Sequence, residues 1–140
     1  MFLLDTNILS AMMAPVVPRE VEQWIAGTPF RFLFTATICE AEILAGIAIL
    51  PEGRRRTALD TAARHVLRHN FAQKIWPFDS DAAEAYAEVV TGSRNRGRWA
   101  EAQDLMIAAI ALSRDAAVVT RNVGDFDGCG VEVINPWDDA

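Results

Sequence analysis

The chain has 140 residues, 51% of them hydrophobic and 23% charged, which is one domain's worth of sequence and too apolar for intrinsic disorder or a collagen-like repeat. At this length folding buries roughly 68–70% of the unfolded surface, enough for one core. The 13 cations and 19 acids leave a formal net charge of −6, a field that repels nucleic acid, so any such contact must come from a local basic patch or from bound cations.

Phe2–Leu4 is a short continuous apolar run, the pattern of a strand buried on both faces, and it ends in the polar Asp5-Thr6-Asn7. A short helix over Ile8–Met13 is stopped by Pro15 and Pro18, and Arg19–Ala26 is helical up to Gly27. Phe30–Thr35 reads as a second apolar strand. Thr37-Ile38-Cys39-Glu40 matches a capping box, in which Glu40 reaches back to the Thr37 amide, and opens a helix to about Leu50. Arg54–Asn70 is a basic amphipathic helix and Ile75–Phe78 a short strand. A helix capped by Asp79 or Ser80 runs to Gly92, and Trp99–Ser113 is the most apolar helix. Ala117–Thr120 is a strand, Arg121–Gly130 a loop, and Val131–Ile134 the last strand. Strands alternating with helices predict an α/β fold: a mainly parallel central sheet of about five strands with helices on both faces. Ligands gather outside the carboxyl ends of such strands, where Asp5 and Thr120-Arg121-Asn122 both fall.

Cys39 and Cys129 lack CxxC or HxxxH spacing, which argues against a disulfide framework or a zinc site and for a reducing cytoplasm. Asp5 comes before any signal-peptide core can form, and Leu105–Leu112 is too short to span a bilayer. A soluble cytoplasmic protein without membrane contact is expected.

Three acids stand where structure alone does not ask for one. Asp5 closes an all-apolar strand; it is a good N-cap, and it also sits where α/β enzymes place metal ligands and nucleophiles. Glu40 and Glu42 lie about 200° apart around their helix, so they cannot face one site. The capping box occupies Glu40 and leaves Glu42 as the functional candidate, with Gly46 one turn on to let a neighbour pack close. Asp104 opens the stretch Ala102–Leu112, apolar nearly all round and therefore buried. An ionised carboxylate there is costly unless paired or bound to a metal; the alternatives are a salt bridge to an arginine or an exposed first turn favoured by the helix dipole. The loop after Thr120 adds Asp125 and Asp127.

Carboxylates converging from these positions would repel by ~4 kcal/mol per pair at a separation of about 4 Å and an effective dielectric of about 20, and would take up protons or a cation. An all-oxygen set without Cys or His selects Mg²⁺ or Mn²⁺. Such an ion makes its bound water more acidic and holds a phosphate oxygen, which suits phosphodiester hydrolysis. No Ser-His-Asp set, P-loop or GxGxxG competes. A phosphatase with Asp5 as covalent nucleophile would need a second Asp where Asn7 stands. A non-catalytic scaffold that binds a partner peptide would need no metal.

Leu4-Asp5-Thr6-Asn7 resembles the opening of PIN-domain nucleases. Glu42-Ile43-Leu44-Ala45-Gly46-Ile47 resembles their helix with a glutamate and a spaced glycine, and Asp104-Leu105-Met106-Ile107-Ala108-Ala109 the helix of their third acid. Thr120 to Phe126, with Gly130-Val131 and Ile134-Asn135-Pro136-Trp137, is similar to their carboxyl-terminal signature. The blocks stand in family order across essentially the whole chain. They are most like VapC-type toxins of bacterial toxin–antitoxin pairs, in the FitB-like subgroup, which Pro51–Arg56 also resembles.

The resemblance implies an α/β/α PIN fold, usually a homodimer, and a Mg²⁺- or Mn²⁺-dependent endoribonuclease that slows growth by cutting RNA of translation, tRNA or rRNA. It implies a VapB-type antitoxin whose carboxyl-terminal peptide occupies the acidic groove and whose DNA-binding part lets the complex bind operator DNA. It makes Asp5, Glu42 and Asp104 the main metal ligands, with Asp125 acting directly or through water, and Asn7, Thr120 and Asn122 orienting the site. Many relatives carry an acid where this chain has Asn122; with Asp125 the charged residue that remains, one tightly held ion is expected.

Arg54, Arg55, Arg56, Arg64, His65, Arg68 and His69 put most of the cationic charge on one helix and its entry, either as a solvated face or as a phosphate-contacting rim. Arg94, Arg96 and Arg98, just before the Asp104 helix, are the cluster expected to contact RNA. Trp24 and Trp76 are expected in the core.

Overall fold

Phe2–Leu4 forms β1, the middle strand of a five-stranded sheet in the computed structural model, which describes residues 1–97 and 100–138. On one side β1 pairs with β2 (Leu33–Ala36), Phe2 opposite Leu33; on the other it pairs with β4 (Ala117–Val119), Phe2 opposite Ala117. The two-residue strands β3 (Ile75–Trp76) and β5 (Val133–Ile134) form the edges, giving the order β3-β2-β1-β4-β5 with every pairing parallel. Leu3, Leu4, Leu33, Val118 and Val119 are fully buried, as strands covered on both faces require.

The helices follow the expected order, with differences at their ends. α1 (Thr6–Met13) starts two residues early because Asp5 caps it, and α2 (Arg19–Ala26) stops at Gly27. Phe30–Phe32, expected in a strand, forms a 3₁₀ turn in which the Phe32 N–H donates to the Pro29 carbonyl at 3.0 Å, so β2 begins later. α3 spans Thr37–Ala48, and α4 (Arg54–His65) runs on into a π-helical turn, Val66–Asn70. β3 stops at Trp76 because Pro77 has no N–H to add to a ladder. α5 (Ser80–Asn95) passes through Gly92, and α6 spans Ala102–Ser113; Trp99, the expected start of α6, lies outside the described residues.

α6 packs against α5, α3 and β4, and its Ile107–Ala111 segment is fully buried, which confirms the reading of an apolar central helix. Phe71 and Phe126 are the largest fully buried side chains, and Trp76 is buried against Phe34, with ring centroids 4.3 Å apart. Trp24 is half-buried, edge-on to Phe2. The strand order reverses direction between β1 and β4, so the crevice at their carboxyl ends is where such a sheet binds ligands.

Candidate active site

Asp5 and Thr120 end the two strands that flank this crevice. The Asp5 N–H donates to the Val119 carbonyl at 2.9 Å, extending the β1–β4 pairing. Its side chain is only 5% exposed. Oδ1 accepts the Thr6 N–H at 2.8 Å, which caps α1; Oδ2 accepts the Thr120 hydroxyl at 2.8 Å and Asn7 Nδ2 at 3.3 Å. The Thr120 hydroxyl in turn accepts from Asn7 Nδ2 at 2.9 Å and from the Asn122 N–H at 3.1 Å, using its one hydrogen and both lone pairs. Asn7 Oδ1 accepts the Arg121 N–H at 3.0 Å, which fixes the way round its amide sits. Asp5 is thus a helix cap and the centre of a buried polar network at once.

Around this anchor stand Glu42 on α3, Asp104 in the first turn of α6, and Asp125 in the 3₁₀ turn Val123–Phe126. Burial pushes the Asp5 carboxyl up; the hydrogen bonds from Thr120 and Thr6 pull it down, and the Asp125 charge adds to the rise. Burial and the Asp5 charge raise Glu42. Asp104 is pushed up to about 6, by burial first and then by the charges of Asp125, Asp5, Glu42 and Glu101. No cation figures among these influences, and Asp104 makes no ion pair among the described residues. Cys39, buried beside Asp5 and Glu42, is pushed up to about 12 and stays a neutral thiol, so the ionised donors here are carboxylate oxygens, which suit hard ions. Among the described residues no three of these acids stand close enough to grip one bare ion.

The expected capping box at Thr37 does not form. Thr37 is already helical; the extended residue before the helix is Ala36, whose side chain has nothing to cap with. Glu40 instead pairs with Arg68 in the π-helical turn, well away from Asp5 and Glu42 around the helix. Among the described residues no other element comes within 4 Å of where a Cβ of Gly46 would stand, so no neighbour packs close to it; it lines a groove of about 460 Å³ that runs from Thr6 and Glu42 past Ile43 to Leu59 and Arg55. Asn122 joins the network through its N–H, while its side chain is exposed. Arg94 is exposed near the end of α5, Arg96 lies along Gly128, and Arg98 is outside the described residues.

Two neighbours of the acids were not singled out from the sequence. The Thr6 hydroxyl is buried, finds no partner at hydrogen-bonding length among the described residues, and is near enough to Glu42 and Cys39 to draw both down. Its place between Asp5 and Asn7 was the available signal. Glu101, the residue that precedes α6, adds to the field on Asp104; an acid at a helix start is too ordinary to stand out.

Residues 2–127 match the family model described as the PIN domain. The chain belongs to the PIN-domain family. This PIN domain is 39% identical to the plasmid stability protein StbB of Pseudomonas syringae pv. tomato over 138 residues, 99% of each chain. It is 32% identical to the VapC ribonuclease Y4jK of Sinorhizobium fredii over 140 residues, the whole of both. Among solved structures, a chain of FitAB bound to an IR36 DNA fragment matches it with a TM-score of 0.89 and 32% identity, covering 98% of this chain and 96% of that one. Within the family this PIN domain groups with the VapC and FitB toxins of toxin–antitoxin systems, as its sequence motifs imply. No described helix of this PIN domain is long and apolar enough to cross a membrane.

Proposed function

We propose that this PIN domain is a Mg²⁺- or Mn²⁺-dependent endoribonuclease of the cytoplasm that hydrolyses RNA phosphodiester bonds, in tRNA or rRNA, and so arrests translation and growth. The observation that carries the reading is one of charge. Asp5, Glu42, Asp104 and Asp125 come from four distant stretches of chain to one rim, where burial and mutual repulsion raise the first three. Such a cluster is unfavourable by itself and is made tolerable by a doubly charged ion. Asp5, Glu42 and Asp104 would hold that ion, with Asp125 acting directly or through water. Mg²⁺ keeps several of its waters and needs few direct carboxylates, which suits an open set. When bound, the ion supplies an acidified water and a positive charge against the phosphate. The chain's own contribution is orientation: Thr120 and Asn7 hold Oδ2 of Asp5 in place, and Arg121 locks Asn7.

The expected partner is a VapB-type antitoxin, as the FitAB complex suggests, with a homodimer of this chain at the centre of an assembly whose antitoxin part binds operator DNA. The openness of the carboxylate set favours one other reading, a PIN scaffold that binds a partner without catalysis. Calorimetry and RNA digestion separate the two. Antitoxin-free protein should bind Mn²⁺ and cut RNA, EDTA should stop the cutting, and Asp5→Ala, Glu42→Ala or Asp104→Ala should abolish it while the protein stays folded. Absence of Mn²⁺ binding, or three variants that cut as the parent does, rejects the nuclease.

A further inference from the structure

An acidic rim on a chain of net charge −6 must still admit a polyanion. Arg121 is the first residue after Thr120, and its N–H is bound to Asn7 Oδ1 at 3.0 Å, so its backbone is fastened to the network that holds Asp5. An arginine whose backbone is tied to the network of a buried carboxylate is a natural ion-pair partner for an acid of that rim. Yet Arg121 makes no ion pair among the described residues, whereas Arg64, Arg68 and Arg114 pair with Asp60, Glu40 and Asp79. Its guanidinium lies over the Trp137 ring instead, 4.6 Å from the centroid.

The ring is itself fixed. The Thr120 N–H donates to the Ile134 carbonyl at 2.9 Å, which brings the end of β5 beside the end of β4. Pro136 is buried, and the Trp137 N–H donates to Asn135 Oδ1 at 3.0 Å in the turn that follows. A guanidinium stacked on indole keeps its in-plane N–H fork unspent and loses little freedom when that fork meets a phosphate.

We infer that Arg121, held over Trp137, binds a backbone phosphate of the RNA beside the one that is cleaved. Arg121 is the contact residue and Trp137 the positioning residue; the ring keeps the cation off the acids and aimed at the substrate. The inference rests on the ribonuclease reading above.

The test uses the full chain freed of antitoxin and a fluorescein-labelled RNA oligonucleotide that it cuts. Binding to metal-free protein is followed by anisotropy across a salt series, and KM and kcat are measured separately in Mn²⁺. Arg121→Ala should weaken binding about tenfold and reduce the slope of log affinity against log salt by about 0.7, the loss of one single-strand phosphate contact. KM should rise by a similar factor with kcat within about twofold. Arg121→Lys should fall between the two, since it keeps the charge without the fork. Trp137→Ala should raise KM about threefold, and Trp137→Phe should restore most of it. Mn²⁺ binding should match the parent in all four, and Tm should match it in the two Arg121 variants; Trp137→Ala, which also loses packing against the core, is compared at a temperature well below its own melt. An Arg121→Ala protein with parental KM and salt slope overturns this inference alone, and so does a raised KM with an unchanged slope. A parent that does not cut RNA overturns the ribonuclease reading and this inference with it.

Discussion

The Thr120 hydroxyl donates to Oδ2 of Asp5 at 2.8 Å, joining the ends of two neighbouring strands whose residues are 115 apart in the chain. Thr120→Val keeps the shape but leaves Asn7 Nδ2 and the part-buried Asn122 N–H short of an acceptor and Asp5 short of a donor. Unmade hydrogen bonds of this kind cost about 1–3 kcal/mol. Differential scanning fluorimetry should show Tm lowered by several degrees, RNA cleavage should fall with it, and Thr120→Ser should recover both.

Glu40 and Glu42 should respond in opposite ways. Glu42→Gln should stop RNA cleavage without lowering Tm at neutral pH, because it removes a charge that Asp5 opposes. Glu40→Gln should leave cleavage intact and cost no more than about 1 kcal/mol, since its Arg68 partner is 52% exposed. Parallel cleavage assays and melts of the two variants check this.

Asp104 makes the metal-free protein sensitive to pH in a stated direction. Its carboxyl is raised from 3.8 to about 6, so between those values the folded protein holds a proton that the unfolded chain has released. The stability this proton gives is full below about 3.8 and is lost as pH rises through about 6. Asp104→Asn should therefore stabilise the EDTA-treated protein at pH 7.5, by on the order of 1 kcal/mol after solvent screening, or a few degrees in Tm. The gain should shrink towards nothing near pH 4. A melt series of parent and variant in EDTA across that range is the measurement.

Gly92 sits inside α5 where a Cβ would come within 2.8 Å of the Gly128 carbonyl oxygen. Ala is a better helix former, yet Gly92→Ala should destabilise, because backbone on the other side cannot yield as a side chain can. A cost of about 1–3 kcal/mol is expected from such overpacking. The displaced segment follows directly on the turn that carries Asp125, so RNA cleavage should fall further than the melt alone would suggest.

Short-range signals were enough where one physical rule decided the outcome. The unbroken apolar run Phe2–Leu4 marked the middle strand, and the 3.6-residue period put Glu40 and Glu42 on different faces, although the capping box that assigned Glu40 its task does not form. Asp104 was conspicuous as a carboxylate opening a helix with no polar side. Sequence reasoning failed where partners came from afar. Glu40 fits a capping pattern, but its companion is Arg68 on another helix, and Phe30–Phe32 has strand-forming residues that Pro29 turns into a 3₁₀ turn. The tie between Arg121 and Trp137 leaves no periodic trace, since both lie in loops brought together by the pairing of β4 with β5.

β1, the first of the five strands in chain order, occupies the middle of the sheet. Phe2–Leu4 must wait for Ala117–Val119 to be synthesised before its second edge is filled, and Asp5 must wait for Thr120. Contacts so distant in sequence form late. A nascent chain that has not yet reached Thr120 therefore carries its acids scattered along an unfinished polymer, and whatever harm they do together begins only after β4 has been made.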